Sequence, residues 1–185
     1  MNPSGPCLGT RVGAGYTWLD YKTVAKRRTA FASGLVSLEE KLGLKGWRLG
    51  IYAQNRAEWV IADLAAQSLN VPSVALYDTL GVETVEFVLG HAEIPVLVTT
   101  VDKVSGVLEM SNKVPVKVII TMDSLEGKEG KVLRVWAKEK GVDLFEFGEM
   151  EVLGKKVVVR KPGKEDVASV CYTSGTFLLF ECNRD

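Results

Sequence analysis

Uninterrupted apolar runs, separated by stretches of helical periodicity, are the strictest constraint in this sequence. In 95–100 (PVLVTT) and 116–122 (VKVIITM) Val, Ile and Leu fall at adjacent positions, and in 71–77 (VPSVALY) Val74, Ala75 and Leu76 do, so side chains of both parities are apolar. A strand with one wet face would alternate, so these runs read as strands buried on both sides. The segments 47–53 (WRLGIYA), 142–147 (VDLFEF) and 167–173 (VASVCYT) read as further strands, the last returning to the interior. Between them, helices are predicted from Asn55 through Ser68 and over 82–92, 103–111 and 131–140. Strand and helix in alternation predict an α/β fold, parallel-sheet layers with flanking helices.

An earlier helix spans 20–43, where Val24, Phe31, Leu35, Leu38 and Leu42 form one buried stripe. Asp20 is placed to cap its start and Gly43 its end. Asn55 followed by Glu58 has the spacing of a capping box for the next helix. Trp47 and Trp59 have the spacing of packing residues and read as core. The stretch 155–166 (KKVVVRKPGKED) is the most linker-like part of the chain, and no internal repeat is evident.

Composition excludes several classes. The chain has 185 residues, 46% apolar and 25% charged, as expected of a globular domain. Lys plus Arg and Asp plus Glu both number 23, so no net field draws nucleic acid to it. Cys7, Cys171 and Cys182 are too scattered for a disulfide framework, which favours a reducing compartment. No apolar run reaches the length of a signal peptide or a membrane span, so no transmembrane segment is expected.

Thr173, Ser174, Gly175 and Thr176 follow the last predicted strand. In open α/β sheets, ligands bind beyond the carboxyl ends of strands. Three hydroxyls can donate to phosphate oxygens there, and Gly175 permits a turn tight enough for backbone N–H groups to converge on an anion. Alone the string is a weak signal, and an ordinary polar turn is the commoner meaning. It lacks the spacing and lysine of a P-loop. Ser174 has neither a G-x-S-x-G elbow nor a nearby histidine in sequence, which argues against a hydrolase nucleophile.

The remaining candidates are weaker. Gly13 and Gly15 (GAG) lack the rest of a dinucleotide fingerprint and read as a flexible loop. His91, the only histidine, falls near a helix end, where its role is to complement the dipole. Lys22, Lys26, Arg27 and Arg28 read as a solvated helix face. No cluster has metal-ligand spacing, and no catalytic residue or metal site is assigned.

Taken in order, GPCLGTR, YTWLDYKTVAKR, LGIYAQNRAEWVIADLAAQSLNVPSVALYDTLG and VASVCYTSGT resemble the N-terminal part of the long-chain fatty acyl-CoA synthetases. These belong to the adenylate-forming, AMP-binding superfamily. The likeness is most specific at Gln54, Asn55, Arg56, Glu58 and Trp59, and again at LYDTLG (76–81). It implies an incomplete N-terminal domain of the adenylate-forming fold over residues 1–176, with 177–185 a non-matching tail. It also implies ATP, Mg²⁺ and coenzyme A as cofactors and a long-chain fatty acid as substrate. In such enzymes the carboxylate attacks the α-phosphate of ATP, and the thiol of coenzyme A then displaces AMP. An intracellular site is implied: cytosol, or the cytosolic face of the endoplasmic reticulum or peroxisome.

By the same resemblance, Thr173, Ser174, Gly175 and Thr176 form the first half of a loop that grips phosphate. The family pattern continues Thr-Gly-x-Pro-Lys-Gly, whereas this chain has Phe177, Leu178, Leu179, Phe180, Glu181 and Cys182. Glu181 puts a negative charge where a lysine should face polyphosphate. The expectation is a chain truncated within that loop and inactive alone. The alternative is a non-catalytic fragment or decoy that associates with a full-length synthetase.

Overall fold

The apolar runs become the strands of one parallel sheet. The computed structural model describes residues 2–77, 79, 81–154 and 159–173. Two antiparallel strands come first, β1 (Pro6–Val12) and β2 (Gly15–Asp20), followed by the long helix α1 (Tyr21–Leu42). The chain then runs β3 (Leu49–Tyr52), α2 (Ala57–Ser68), β4 (Ser73–Leu76), α3 (Val82–His91), β5 (Val96–Thr99) and α4 (Val101–Glu109). It continues β6 (Val118–Thr121), α5 (Gly127–Glu139), β7 (Asp143–Glu146), α6 (Phe147–Leu153) and β8 (Ser169–Cys171).

The main sheet has the order β7-β6-β5-β3-β4-β8, all neighbours parallel. Adjacent side chains go to opposite faces, so the apolar runs feed two cores. Val96, Val98, Val118 and Ile120 meet α1, α2 and α6 on one face. Leu97, Ile119, Leu144 and Val74 meet α3, α4 and α5 on the other. A three-layer α/β/α arrangement results, as the unbroken Val/Ile/Leu runs predict.

Local signals in α1 are realised. The Asp20 carboxylate accepts from Thr23 N at 2.6 Å, and Gly43 ends the helix at φ 64° with its N–H bonded to Glu39 O. The capping box at Asn55 is not. Arg56 is the extended residue before α2, with φ −155°, so Glu58 falls at the second helical position and cannot close that box.

Three further expectations are corrected. Gly13 and Gly15 belong to the turn of the β1–β2 hairpin, with Gly13 at φ 59°. The strand expected over 142–147 ends at Glu146, and Phe147 instead begins α6, where it stacks on Phe31 with centroids 4.1 Å apart. The strand expected over 167–173 is short and bordered only by β4 among the described residues; Ser169 and Cys171 are exposed. Trp47 is core, and Trp59 is half-buried against it.

Candidate functional site at the carboxyl edge of the sheet

All strands of a parallel sheet end on the same side, and the chain's direction of travel picks one crevice on that side. From β3 the chain passes to β4, then crosses back to β5 on the other side of β3 and continues outward to β6 and β7. The loops leaving β3 and β5 therefore diverge, one to each face, and leave a gap between them. A cleft of about 520 Å³ lies there, lined by Gln54, Asn55, Arg56 and Glu58 after β3 and by Thr100 and Asp102 after β5. Thr10 of the hairpin closes one side.

The starts of α2 and α4 both face this edge, and neither Arg56 nor Thr100 caps its helix through a side chain. Instead, the Asp123 carboxylate, just past β6, accepts from Val101 N at 2.9 Å. The Lys103 ammonium lies 5.2 Å from the centroid of the Tyr52 ring. Hydrogen bonding from Thr100 leads the effects that hold the Asp102 carboxyl below its ordinary range, against a smaller opposing effect of burial and with help from Lys103.

Arg56 is fixed on three sides. Its Nε donates to Glu58 Oε2 at 2.8 Å, Nη1 to Asp123 Oδ1 at 2.6 Å and Nη2 to the Met122 carbonyl at 3.2 Å. Burial works against its charge, but the bonds to Asp123 and Glu58 outweigh that and raise the guanidinium above its ordinary value. Arg27 extends the series, 3.7 Å from Glu58 and 2.7 Å from Glu151, with its guanidinium over Phe147. Alternating charges thus join α6, α1, α2 and the end of β6. Arg27 is a tie between helices, a correction to its reading as part of a solvated face.

The sequence marks Arg56 only as a point of resemblance, Glu58 as that and as half of the expected capping box, and Asp123 not at all. Asp123 lies 67 positions from Arg56, and no local spacing signals the pair.

Of the four residues expected to hold phosphate, Thr173 is exposed two positions beyond the end of β8. Ser174, Gly175 and Thr176 lie outside the described residues, as do residues 177–185. β8 is two strands from β3 in sheet order, about 10 Å at normal strand spacing. Thr173 therefore shares the edge with the cleft without lining it. Beside it, Tyr172 Oη and His91 Nδ1 are 2.6 Å apart, and His91, the last residue of α3, stacks on Phe87. Tyr77 Oη lies 3.3 Å from Cys171 Sγ.

Amides, hydroxyls and helix starts equip this edge to hold a polar ligand. Among the described residues no group of His, Cys, Asp and Glu gathers as a metal site, and no helix is long and apolar enough to cross a membrane.

Comparison with known proteins places these features in context. The profile of the AMP-binding enzyme family matches residues 3–176. The peroxisomal acyl-CoA ligase 891 of Penicillium brevicompactum is 35% identical over 94% of this chain and 27% of its own length. Long-chain-fatty-acid–CoA ligase 5 of Mus musculus is 37% identical over 95% of this chain and 26% of its own. The chain thus spans about a quarter of the length of these curated relatives.

Solved structures share the fold. The adenylation domain of a carboxylate reductase from Mycobacterium chelonae superposes with a TM-score of 0.76 at 15% identity, over 93% of this chain and 30% of that one. A long-chain-fatty-acid-CoA ligase from Archaeoglobus fulgidus gives 0.66 at 17% identity, over 89% and 29%.

Proposed function

Because this chain belongs to the AMP-binding enzyme family, we propose that it carries the N-terminal part of the activating site of a long-chain fatty acid–CoA ligase. The observation that carries this reading is the family match through Thr176, on a sheet whose carboxyl edge presents a polar cleft and an exposed Thr173. In this reading residues 1–176 are domain and 177–185 are not. The reaction class is ATP-dependent activation of a fatty acid through an acyl-adenylate, followed by transfer to coenzyme A. An intracellular location goes with it.

An exposed hydroxyl beyond the end of a strand fits a phosphate ligand. The hydroxyls of Thr173, Ser174 and Thr176 would donate to phosphate oxygens, and Gly175 would let the backbone approach them. ATP, when bound, would supply the α-phosphate that the fatty acid carboxylate attacks with loss of pyrophosphate, and Mg²⁺ would spread the polyphosphate charge. Arg56 and its carboxylate partners hold the starts of α2 and α4 in place and are too fully paired to serve as a free anion clamp. No described residue is assigned to Mg²⁺ or to coenzyme A.

Within this reading the 185 residues alone do not turn over. Glu181 stands where a cation would attract the leaving pyrophosphate, and Leu178 and Cys182 stand where glycines would give the loop its freedom. ATP–pyrophosphate exchange by the purified chain, with Mg²⁺ and a long-chain fatty acid, tests this. Exchange at the level of the enzyme-free blank is expected; saturable exchange lost in Ser174→Ala would overturn it.

A further inference from the structure

The segment that brings the chain to β8 crosses from one side of the sheet to the other. α6 ends at Leu153 after β7, whereas β8 lies against β4. Between 159 and 173 no described side chain is fully buried, and most are exposed. Val170 and Tyr172 pack against the core only in part, so the apolar burial that anchors the other strands is small here. β8 itself pairs with β4 only over Ser73↔Ser169, Val74↔Val170 and Ala75↔Cys171.

Polar contacts at the amino edge of the sheet hold this segment instead. Arg160 donates from Nη1 and Nη2 to the two oxygens of Glu39 at 2.9 and 2.6 Å. The Trp47 indole N–H donates to the same carboxylate at 3.1 Å, and the Arg160 backbone N–H donates to Ser68 O at 2.9 Å. Six residues on, the Asp166 carboxylate accepts from Gly163 N at 2.6 Å and from Asn70 Nδ2 at 3.0 Å. Ser73 N then donates to Ala168 O at 3.2 Å, and the β4–β8 ladder begins. A two-pronged arginine–carboxylate pair is both stronger and more directional than a neutral bond, so it can fix a path as well as tether it.

We propose that Glu39 and Arg160 are positioning residues that set the register of β8 from the opposite edge of the sheet, and so fix where Thr173 leaves it. The consequence for phosphate binding rests on the function proposed above; the register does not.

Amide hydrogen exchange of the full 185-residue chain, without nucleotide, tests the register separately from the function. In Arg160→Gln, the Val170 amide, which faces β4 in this register, is expected to exchange about 10-fold faster than in the unaltered chain, while Ile51 and Val98 stay within about 2-fold. Arg160→Lys, which keeps the charge but loses the fork, should fall between. Unchanged β8 exchange would overturn the proposal; equal acceleration of all the strands would also overturn it, by showing a purely global role. Should Arg160→Gln fail to fold, Glu39→Gln provides the same comparison, because its amide oxygen still accepts from Trp47.

Discussion

Arg56 shows how one residue can organise this edge of the sheet without binding anything. Replacing it by Ala takes the guanidinium from Asp123, leaves Glu58 with Arg27 alone and releases the Met122 carbonyl. A loss of about 1–2 kcal/mol is expected in urea unfolding, reduced from the value for a buried pair because solvent reaches the site. Asp123→Asn should cost less, since an amide can still accept from Val101 N. Two glycines give opposite expectations. A Cβ on Gly34 would lie 2.2 Å from the Met150 carbonyl oxygen, so Gly34→Ala should cost about 1–3 kcal/mol or more. Gly106, inside α4, has nothing within 4 Å, so Gly106→Ala should stabilise by about 0.5–1 kcal/mol. The Asp20 and Gly43 caps were legible because a cap is a contact within one turn. The Arg56–Asp123 pair was not, because only the parallel sheet brings the ends of β3 and β6 to the same edge.

The strands of the main sheet could be read from apolar runs because burial on both faces leaves little room for polar residues. The hairpin could not. Apart from Cys7, Leu8, Leu19 and Asp20 its residues are exposed, and pairing of one strand with the other replaces the core as the reason for its form. α6 was hidden for a different reason. Its Phe147 continues the apolar texture of β7, while Glu146 and Glu149 form a capping box that starts a helix there. Phe147→Ala removes the stack on Phe31 and the surface beneath Arg27, and should cost about 3–5 kcal/mol in thermal or urea unfolding. β8 differs from the other strands in being held by charge, so its attachment should respond to pH.

Burial opposes ionisation of Glu39, but Arg160 and Trp47 outweigh it and keep its carboxyl below the ordinary 4.5. Lys45, Arg48 and Asp166 line the same hollow. A depressed carboxyl gives stability that is whole above about pH 4.5 and is lost as pH falls through its lower folded value. Trp47 fluorescence should therefore change below pH 4.5, and Arg160→Gln should move that change to higher pH.

Across the whole molecule, the order of the strands carries more functional meaning than any short motif. The crossing from β4 back to β5 opens the cleft at the ends of β3 and β5, and the family match places the chain that folds this way among AMP-binding enzymes. The expectation of a phosphate loop at 173–176 rested on the longer stretches around that string, since four polar residues after a strand are common, and Ser174, Gly175 and Thr176 lie outside the described residues. The decisive measurement is ATP–pyrophosphate exchange with a long-chain fatty acid by two chimeras of the mouse ligase 5. In one, residues 3–176 of this chain replace the matched segment; in the other, the graft extends through Cys182. Exchange is expected from the first and its loss from the second. A folded first chimera without exchange, or equal exchange by both, would contradict the proposed role of this chain.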